Sequence, residues 1–291
     1  MTIQSDLTSK NKVCAVTFWY NPDKIGREEI SRNINSYLNC VVKLYLYDNS
    51  DYSNADLVPT SDKIEYIPNK QNLGISAVLN LACKKAIDSG YKWILAIDQD
   101  SYFEKEEYIN RFIDCIDDGE LDKSDVGILN ADSSPKNHEN DEKYRQKSTV
   151  ITSGSLINLD VYQKLEGFDE NLFIDEVDLD YSYQLSAKNF KIYRITGTKL
   201  THKIGEATLK KKFLFWYVHS DNHSAMRKYY MAKNACYMAK KYHKYFPKYM
   251  KKLCKIFIGV IFLEQNKKEK LSAMLHGIKD FCHGRYGLKR G

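Results

Sequence analysis

The sequence predicts an α/β fold: a mainly parallel sheet flanked by helices, followed by a basic helical extension. Three observations support this class. Short apolar runs alternate with segments of helical spacing through the first two-thirds of the 291 residues, as in β-α-β units. Polar and acidic residues follow several of the apolar runs. Basic and aromatic residues interleave toward the C-terminus.

The first half of the chain has the most regular pattern. Apolar runs bounded by turn residues predict buried strands, and segments of helical spacing lie between them. The predicted strands cover residues 13–19, 41–50, 64–68 and 126–131, and a further one is predicted in WILAIDQD over 93–100. One helix is predicted around residues 27–38. A second is predicted from apolar residues at helical spacing between Ile75 and Ile87, with Gly90 ending it. In such a sheet, ligands bind beyond the carboxyl ends of the strands.

The pattern is less regular after residue 131. Residues 131–148 are polar and have no period, so they predict a loop. An extended segment over 149–159 precedes a helix whose apolar face is formed by Ile174, Val177, Tyr181 and Leu185. Two short strands are predicted over 191–195 and 199–202. We expect a domain over residues 1–212 and a helical region over 213–291.

Composition narrows the class of protein. No run of 18 apolar residues occurs, so no transmembrane helix is predicted. The polar N-terminus MTIQSDLTSKNK has no signal-peptide core, and the seven scattered cysteines include no CxxC pair. We therefore expect a protein of the cytoplasm with reduced cysteines.

Charge is unevenly distributed. Residues 227–291 carry 17 basic and 3 acidic side chains, a net charge of +14, whereas the preceding residues carry −8. The basic region predicts an anionic partner, which could be a membrane surface, a nucleic acid or a pyrophosphate. A packing surface within the protein, or a homodimer contact, is the alternative. The run CKIFIGVIFL over 254–263 predicts either a buried helix or one that lies in a membrane interface.

Asp98 and Asp100 form the clearest candidate site. They follow the apolar run WILAI directly, and two like charges so close together repel unless a cation lies between them. Mg²⁺ and Mn²⁺ bind carboxylate oxygens and keep open positions for phosphate oxygens. The DQD sequence therefore indicates a metal ion bound to a diphosphate, although DxD alone is a common pattern.

A second group of acids lies at Asp175, Glu176, Asp178 and Asp180. Acids are favoured in the first turn of a helix because of the helix dipole. Four acids in six residues exceed that need, which indicates a general base among them. His202, in LTHKIGE, follows a predicted strand and precedes a glycine.

Taken together, these segments resemble family 2 glycosyltransferases of the GT-A fold, which is Rossmann-like. The resemblance is to the bacterial rhamnosyltransferase branch of inverting enzymes, and it covers residues 13–287. It is carried by the order of NLG, an amphipathic helix, IDQDS, SGSLINLDVYQKLEGFDENLFIDEVDLDY and THKIG, and by RKYYMAKN and GIKDFCHGRYG near the C-terminus.

The resemblance implies roles for individual residues. Asp178 matches the catalytic base, with Asp175 as its helper, and the metal ligands are Asp100 and His202. The residues implied to bind the nucleotide sugar are Phe18, Tyr20, Asp48, Asn72, Gly74, Asp98 and Arg227. The family usually has Glu before the base, where this chain has Val177. The base could therefore be a neighbouring acid, Glu176 or Asp180.

The implied reaction is a single in-line displacement that inverts the anomeric centre. Mn²⁺ or Mg²⁺ is the expected cofactor, and the donor is a nucleotide sugar, by preference dTDP-rhamnose. The acceptor is a hydroxyl of a glycan or of a polyprenyl-diphosphate-linked sugar in bacterial cell-surface polysaccharide synthesis. A basic tail then suits a peripheral enzyme at the inner face of the cell membrane, with no nucleic acid bound.

One alternative has the same fold, and three others come from different classes of protein. A UDP-hexose could replace the dTDP sugar as donor in the same fold. A phosphotransferase of the haloacid dehalogenase type also has DxD after an apolar strand, but it normally has Thr or Val where this chain has Tyr102. Nucleotidyltransferases need a Gly-rich N-terminal loop, which NPDKIGRE does not provide. The basic tail could stack on nucleic acid, although the acidic first part of the chain would repel it.

Overall fold

A computed structural model describes residues 13–132, 142–202, 209–213, 216–220 and 222–289. The N-terminal segment MTIQSDLTSKNK lies outside these residues. The described chain divides into two compact units. The first unit comprises residues 13–169 and 178–202. The second comprises residues 170–177 and the described residues from 209 onward.

The first unit contains nine strands and five helices among its described residues. Its strands are β1 (Val13–Trp19), β2 (Leu44–Asp48), β3 (Ile64–Pro68), β4 (Trp93–Asp98), β5 (Ser101–Phe103), β6 (Val126–Asp132), β7 (Tyr144–Lys147), β8 (Ser155–Asn158) and β9 (Lys191–His202). Its helices are α1 (Arg27–Leu38), α2 (Ile75–Asp88), α3 (Glu106–Asp114), α4 (Leu159–Tyr162) and α5 (Val177–Ala187).

These strands form one mixed sheet. Its order is β3-β2-β1-β4-β8-β6-β9-β5, and β7 pairs with β9. The first four strands are parallel neighbours, and β6 is parallel to β9. The strands β8, β5 and β7 pair antiparallel. The α/β class and the sheet flanked by helices are thus confirmed, and four adjacent parallel strands are the ones recognised in the N-terminal half.

Apolar side chains on this sheet pack against α1 and α3. β1 and β4 are buried almost throughout, as expected for central strands with both faces covered. Ile30 and Ile34 of α1 and Phe112 of α3 are at most 3% exposed and belong to this core. These contacts hold the two helices against the sheet.

Several boundaries differ from the predictions. Part of the predicted 131–148 loop is a strand, β7, because its backbone pairs with β9, a contact with no local signature. The two strands predicted over 191–202 are one strand with a register shift. The helix that carries Asp178 begins at Val177, so Ile174 precedes it. Residues 133–141 of the predicted loop lie outside the described residues.

The second unit contains a hairpin and three helices. The hairpin is β10 (Leu209–Phe213) with β11 (Trp216–Ser220), and the helices are α6 (Ala225–Lys241), α7 (Phe246–Phe262) and α8 (Lys267–Cys282). Ser224 caps α6 through its Oγ, which accepts from the backbone N–H of Arg227 at 3.3 Å. Within the helical region predicted over 213–291, the helices therefore begin only at Ala225, after the hairpin.

The three helices share a small apolar core. Its buried members are Ala232, Ile256, Val260 and Met274. Gly277 of α8 lies against the backbone of α6, where a Cβ would meet the carbonyl oxygen of Tyr229 at 2.4 Å. This glycine therefore permits the close approach of the two helices. No helix in the described part of the chain is both long and apolar enough to cross a membrane.

Candidate active site

Polar residues meet where the parallel strands end. Strand register places Phe18 beside Asp98 and Trp19 beside Asp48. Because β2, β1 and β4 are parallel, their carboxyl ends share one edge of the sheet. The expectation that Asp48 and the DQD sequence lie at strand ends is confirmed.

Asp98, Asp100 and His202 converge in the first unit. The His202 Nδ1 lies 3.8 Å from an Asp98 carboxylate oxygen and 3.5 Å from an Asp100 oxygen. One potential ligand atom from each residue lies within 4.8 Å of the other two. Antiparallel pairing of Ser101 with His202 brings the histidine to the aspartates from about 100 residues away. Asp98 therefore joins the two residues predicted to bind metal.

The chemistry of this cluster fits a divalent cation. Two carboxylates supply hard oxygen ligands and the imidazole supplies a nitrogen, a set that suits Mn²⁺ and also admits Mg²⁺. The three side chains are about 26 to 32% exposed. They are open enough for a phosphate oxygen to complete the coordination of the ion.

Two serines support the histidine. Ser101 Oγ lies 2.6 Å from His202 Nδ1, and Ser153 donates its hydroxyl to Ser101 Oγ at 2.9 Å. Ser153 Oγ also accepts from the Asp98 backbone N–H at 3.0 Å. Both serines are buried. The contact with Ser101 orients the imidazole through Nδ1, the same nitrogen from which the distances to Asp98 and Asp100 are measured.

The two acids of α5 differ in accessibility. Asp180 is fully buried, and its carboxylate accepts from Gln184 Nε2 at 2.8 Å. Asp178 is partly exposed and lines a small pocket with Thr152 and Phe168. Asp178 can therefore be reached by a ligand from solvent. Asp180 instead forms a hydrogen bond inside the protein.

Asp175 and Glu176 lie in the second unit, in a turn of unusual conformation. Their φ angles are +63° and +69°, a region that non-glycine residues rarely adopt and that persists only when surrounding contacts impose it. Asn234 of α6 supplies such contacts. Its Nδ2 donates to the carbonyl oxygens of Ile174 at 2.6 Å and Asp175 at 3.2 Å.

Cations of the second unit hold the side chains of this turn. The Arg227 guanidinium donates to Asp175 at 3.0 Å, and Lys252 of α7 forms an ion pair with the buried carboxylate of Glu176. Arg227 thus contacts an acid of its own chain. Its Nε and the second oxygen of Asp175 have no hydrogen-bond partner among the described residues, so both keep capacity for a ligand.

Comparison with known proteins identifies the family. Residues 45–216, more than half of the chain, match the model of glycosyl transferase family 2. The chain belongs to this family. The dTDP-rhamnosyl transferase RfbF of Shigella flexneri is 24% identical over 249 residues, which are 80% of this chain and 81% of that protein. The predicted resemblance to the rhamnosyltransferase branch of family 2 is confirmed.

Solved structures agree in fold. S. aureus TarS 1–349 in complex with UDP-GlcNAc has a TM-score of 0.56 at 15% identity, over 93% of this chain and 80% of that one. GalNAc-T7 with UDP, GalNAc and Mn²⁺ has a TM-score of 0.52 at 11% identity, over 66% of this chain. The chain spans only 43% of the length of the GalNAc-T7 structure. The predicted GT-A fold is confirmed.

Within this family 2 glycosyltransferase, Gln99 connects the DQD sequence to β1. The Tyr20 backbone N–H donates to Gln99 Oε1 at 2.9 Å, and Gln99 Nε2 donates to the Tyr20 carbonyl oxygen at 3.4 Å. Asn33 Nδ2 donates to the Gln99 carbonyl oxygen at 2.9 Å. The Tyr20 side chain is 51% exposed. The backbone around Phe18 and Tyr20 is therefore held beside the two aspartates.

Asp48 is fully buried in this glycosyltransferase. Its carboxylate accepts from Tyr66 Oη at 2.7 Å, from Asn54 Nδ2 at 2.8 Å and from the Ser50 backbone N–H at 2.9 Å. Burial opposes ionisation, but these hydrogen bonds outweigh it and hold the pKa of Asp48 below its ordinary value. Asp48 therefore orders the loop after β2, and the predicted contact with the nucleoside stays a prediction.

Asn72 and Gly74 form the turn that opens α2. Asn72 Oδ1 accepts from the Gly74 backbone N–H at 3.0 Å, and Gly74 has a φ of +84° that favours glycine. The NLG sequence therefore has a structural role in this glycosyltransferase, and its predicted contact with the nucleotide stays untested.

Sequence reasoning missed the residues that support the site. Ser101 was visible as the last letter of DQDS, but nothing local shows that it contacts His202. Ser153, Asn33 and Tyr66 lie 12 to 66 residues away in sequence from their partners. Only the topology of the sheet brings them together.

Proposed function

We propose that this protein transfers rhamnose from dTDP-rhamnose to an acceptor hydroxyl, with inversion at the anomeric carbon and with a divalent metal ion. The observation that carries the proposal is the convergence of Asp98, Asp100 and His202 at the carboxyl ends of the strands. The identity to a dTDP-rhamnosyl transferase over 80% of the chain supports the choice of sugar.

The metal proposal concerns Mn²⁺ or Mg²⁺ bound by Asp100 and His202, with Asp98 beside them. Bound there, the ion would offset the negative charge that develops on the departing nucleoside diphosphate. Ser101 and Ser153 would keep the imidazole oriented toward it. The GalNAc-T7 structure contains Mn²⁺ in the same fold, which supports this choice of cofactor.

The proposed general base is Asp178, which accepts the proton of the acceptor hydroxyl as that hydroxyl attacks the anomeric carbon. Its partial exposure supports this role, whereas Asp180 is buried and bonded to Gln184. Asp175 is proposed as a helper that contacts the acceptor, with Arg227 beside it. Arg227 is also proposed to reach the diphosphate through its remaining donors.

The nucleotide is proposed to bind along the edge formed by β1, β2 and α2. The backbone around Phe18 and Tyr20 would flank the base, Asp98 would lie near the ribose, and Asn72 and Gly74 would lie beside the nucleotide. Asp48 would contact the nucleoside, next to the loop that it orders. The Gln99 clamp supports this assignment because it fixes the backbone at Tyr20.

The acceptor is proposed to be a glycan or a polyprenyl-diphosphate-linked sugar of bacterial cell-surface polysaccharide synthesis. The charge of +14 over residues 227–291 supports work at the inner face of the cell membrane, where anionic lipids attract basic residues. We propose a peripheral attachment there without nucleic-acid binding. Alternatively, residues 227–291 form a contact between two copies of the chain in a homodimer.

A UDP-hexose is the second candidate donor. The TarS structure binds UDP-GlcNAc, and TarS matches 93% of this chain in fold. The haloacid dehalogenase alternative has no support, because the chain belongs to glycosyl transferase family 2.

A thermal-shift panel tests the donor and the metal together. It would compare dTDP-rhamnose, dTDP, UDP-glucose, UDP-GlcNAc and GDP-mannose, each with and without Mn²⁺, on wild type, Asp100→Asn and the control Asp88→Asn, an exposed acid of α2. We expect a metal-dependent rise in midpoint with dTDP-rhamnose, lost only in Asp100→Asn. A ligand present at 100 times its Kd stabilises the fold by about 2.7 kcal/mol.

The same panel separates the outcomes. A shift with a UDP sugar alone would replace dTDP-rhamnose as donor, and an equal shift in Asp100→Asn would contradict the metal site. Asp178→Asn should keep the donor shift and lose about 10²- to 10⁴-fold in kcat. An unchanged kcat in that variant would exclude Asp178 as the base.

A further inference from the structure

Helix α7 has one side on which the side chains are exposed. Its buried residues are Tyr249, Ile256, Gly259 and Val260, of which Ile256 and Val260 belong to the shared core. The opposite side is exposed along the length of the helix. We define it as the α7 outer face, and it comprises Lys248, Lys251, Cys254, Lys255, Ile258, Ile261 and Phe262.

The α7 outer face changes character along its axis. Lys248, Lys251 and Lys255 occupy its N-terminal half, and the apolar residues Ile258, Ile261 and Phe262 occupy its C-terminal half. The apolar three are 42%, 43% and 48% exposed. The helix contains no acidic residue. At 1.5 Å per residue, the stripe from Lys248 to Phe262 is about 21 Å long.

We infer that the α7 outer face binds the surface of an anionic lipid bilayer. The three lysines lie at the headgroups, and the three apolar side chains insert at the boundary of the acyl chains. This inference rests on the proposed function, which calls for an acceptor on a membrane, and it deepens that proposal by naming the surface that makes the contact.

Charge argues for lipid and against a second copy of the chain. A symmetric contact between two α7 outer faces would bring together two regions that each carry +14 over residues 227–291. An anionic bilayer instead complements the lysines and covers the apolar half. The helix is too short and too polar at its start to span a bilayer, so it lies in the interface.

Vesicle sedimentation tests the inference on the full chain. Vesicles of phosphatidylglycerol with phosphatidylcholine would be compared with phosphatidylcholine alone, at 0.05 and 0.5 M salt. We expect binding only to the anionic vesicles and weaker binding at high salt, because added salt screens the lysines. Binding to neutral vesicles of equal strength would overturn the role of the lysines.

Two sets of variants separate charge from insertion. Lys248→Gln/Lys251→Gln/Lys255→Gln should lower the partition coefficient on the order of 100-fold, at about fivefold for each cation. Ile258→Ser/Ile261→Ser/Phe262→Ser should lower it at least tenfold. Matched controls are Lys84→Gln/Lys164→Gln/Lys188→Gln and Leu81→Ser, exposed residues of the first unit that should leave binding unchanged. Equal losses in the controls would contradict the proposed face.

A probe on the face itself gives an independent readout. Cys254 and Cys282 are both exposed, and only Cys254 lies on the α7 outer face. An environment-sensitive dye on Cys254, with Cys282→Ser, should shift to the blue with anionic vesicles. The dye on Cys282, with Cys254→Ser, should shift less. Sedimentation with vesicles and no shift at Cys254 would place the contact elsewhere and overturn the inference.

The remaining outcomes are also distinct. Apolar variants that change the molar mass in light scattering without lipid, in a protein that does not bind vesicles, would show that a second copy covers the face. The nucleotide-dependent thermal shift, measured without vesicles, reports on the proposed function alone. Loss of vesicle binding with an intact shift therefore contradicts this inference and leaves the proposed function standing.

Discussion

At the scale of single residues, the candidate metal site includes a hydroxyl that is bonded to its histidine. The Ser101 Oγ is bonded to His202 Nδ1, and its second contact is the hydroxyl of Ser153. Partners of this kind set the orientation of an imidazole and change its affinity for an ion without binding the ion themselves.

Ser101→Ala should therefore weaken Mn²⁺ binding by about tenfold to 100-fold. The measurement is the Mn²⁺ concentration needed for half of the donor-induced thermal shift. The exposed Ser186→Ala is the control, and Ser153→Ala should change the midpoint concentration in the same direction. If Ser101→Ala lowers the melting midpoint but leaves the Mn²⁺ requirement unchanged, Ser101 stabilises the fold and does not affect metal binding.

Lys233 is a second residue with an unusual environment. It is 1% exposed, donates to the Gly287 carbonyl oxygen at 2.5 Å and lies over the rings of Tyr229 and Tyr230. Burial lowers its pKa from 10.5 to about 8, and nearby Asp280 opposes that shift only in part. In the unfolded chain, the lysine has its ordinary pKa near 10.4.

Stability should accordingly rise with pH in a defined window. Between about pH 8 and pH 10.5 the unfolded chain holds more protons at this site than the folded protein, so raising the pH favours folding. Below about pH 8 the cost of the buried charge is complete, on the order of 3 kcal/mol. The melting midpoint of wild type minus that of Lys233→Met should increase from pH 7.5 to pH 10. The exposed Lys279→Met is the control, and a flat difference for Lys233→Met would contradict the burial argument.

At the scale of elements, one buried carboxylate connects α6 with α8. Glu264, directly after α7, lies 2.6 Å from Lys228 Nζ and 2.8 Å from Lys270 Nζ, and it also accepts from Ser220 at the end of β11. All three charged side chains are at most 7% exposed. Burial alone would raise the pKa of Glu264, but the two lysines and the serine hold it below its ordinary value.

Removal of this negative charge should destabilise the second unit. Glu264→Gln leaves two buried ammonium groups without a counter-charge, which costs about 3 to 5 kcal/mol in free energy of unfolding. Urea unfolding followed by circular dichroism measures the loss. Glu269→Gln replaces an exposed acid of α8 and should be close to neutral. A variant at position 264 that unfolds at the same urea concentration as this control would exclude a stabilising role for the cluster.

At the scale of the whole molecule, apolar runs and helical spacing predicted those strands and helices whose formation depends on neighbouring residues in the sequence. β1, β3 and α1 have the predicted boundaries, because each is an apolar or periodic run that ends at a polar or turn residue. β7 was missed because its strand conformation depends on β9, about 50 residues later. Sheet pairing between distant segments has no local signature.

The candidate site also has parts that the local sequence predicts and parts that depend on distant contacts. Asp98, Asp100 and His202 were singled out by residue type and by their position at strand ends, and the sheet brings all three together. The turn at Asp175 was predicted as helix, because its acids suit a first turn. Its positive φ angles depend instead on Asn234, which lies almost 60 residues away. Residue type gave no sign of that contact.

The amide of Gln99 bears on how this motif is sought in genomes. A query written D-x-D treats the middle letter as a spacer, yet here that side chain both accepts from and donates to the backbone of Tyr20. Only an amide can do both at once with a planar group of that length. A query that requires Gln between the aspartates would discard chance pairs of acids and retain chains that share this backbone clamp.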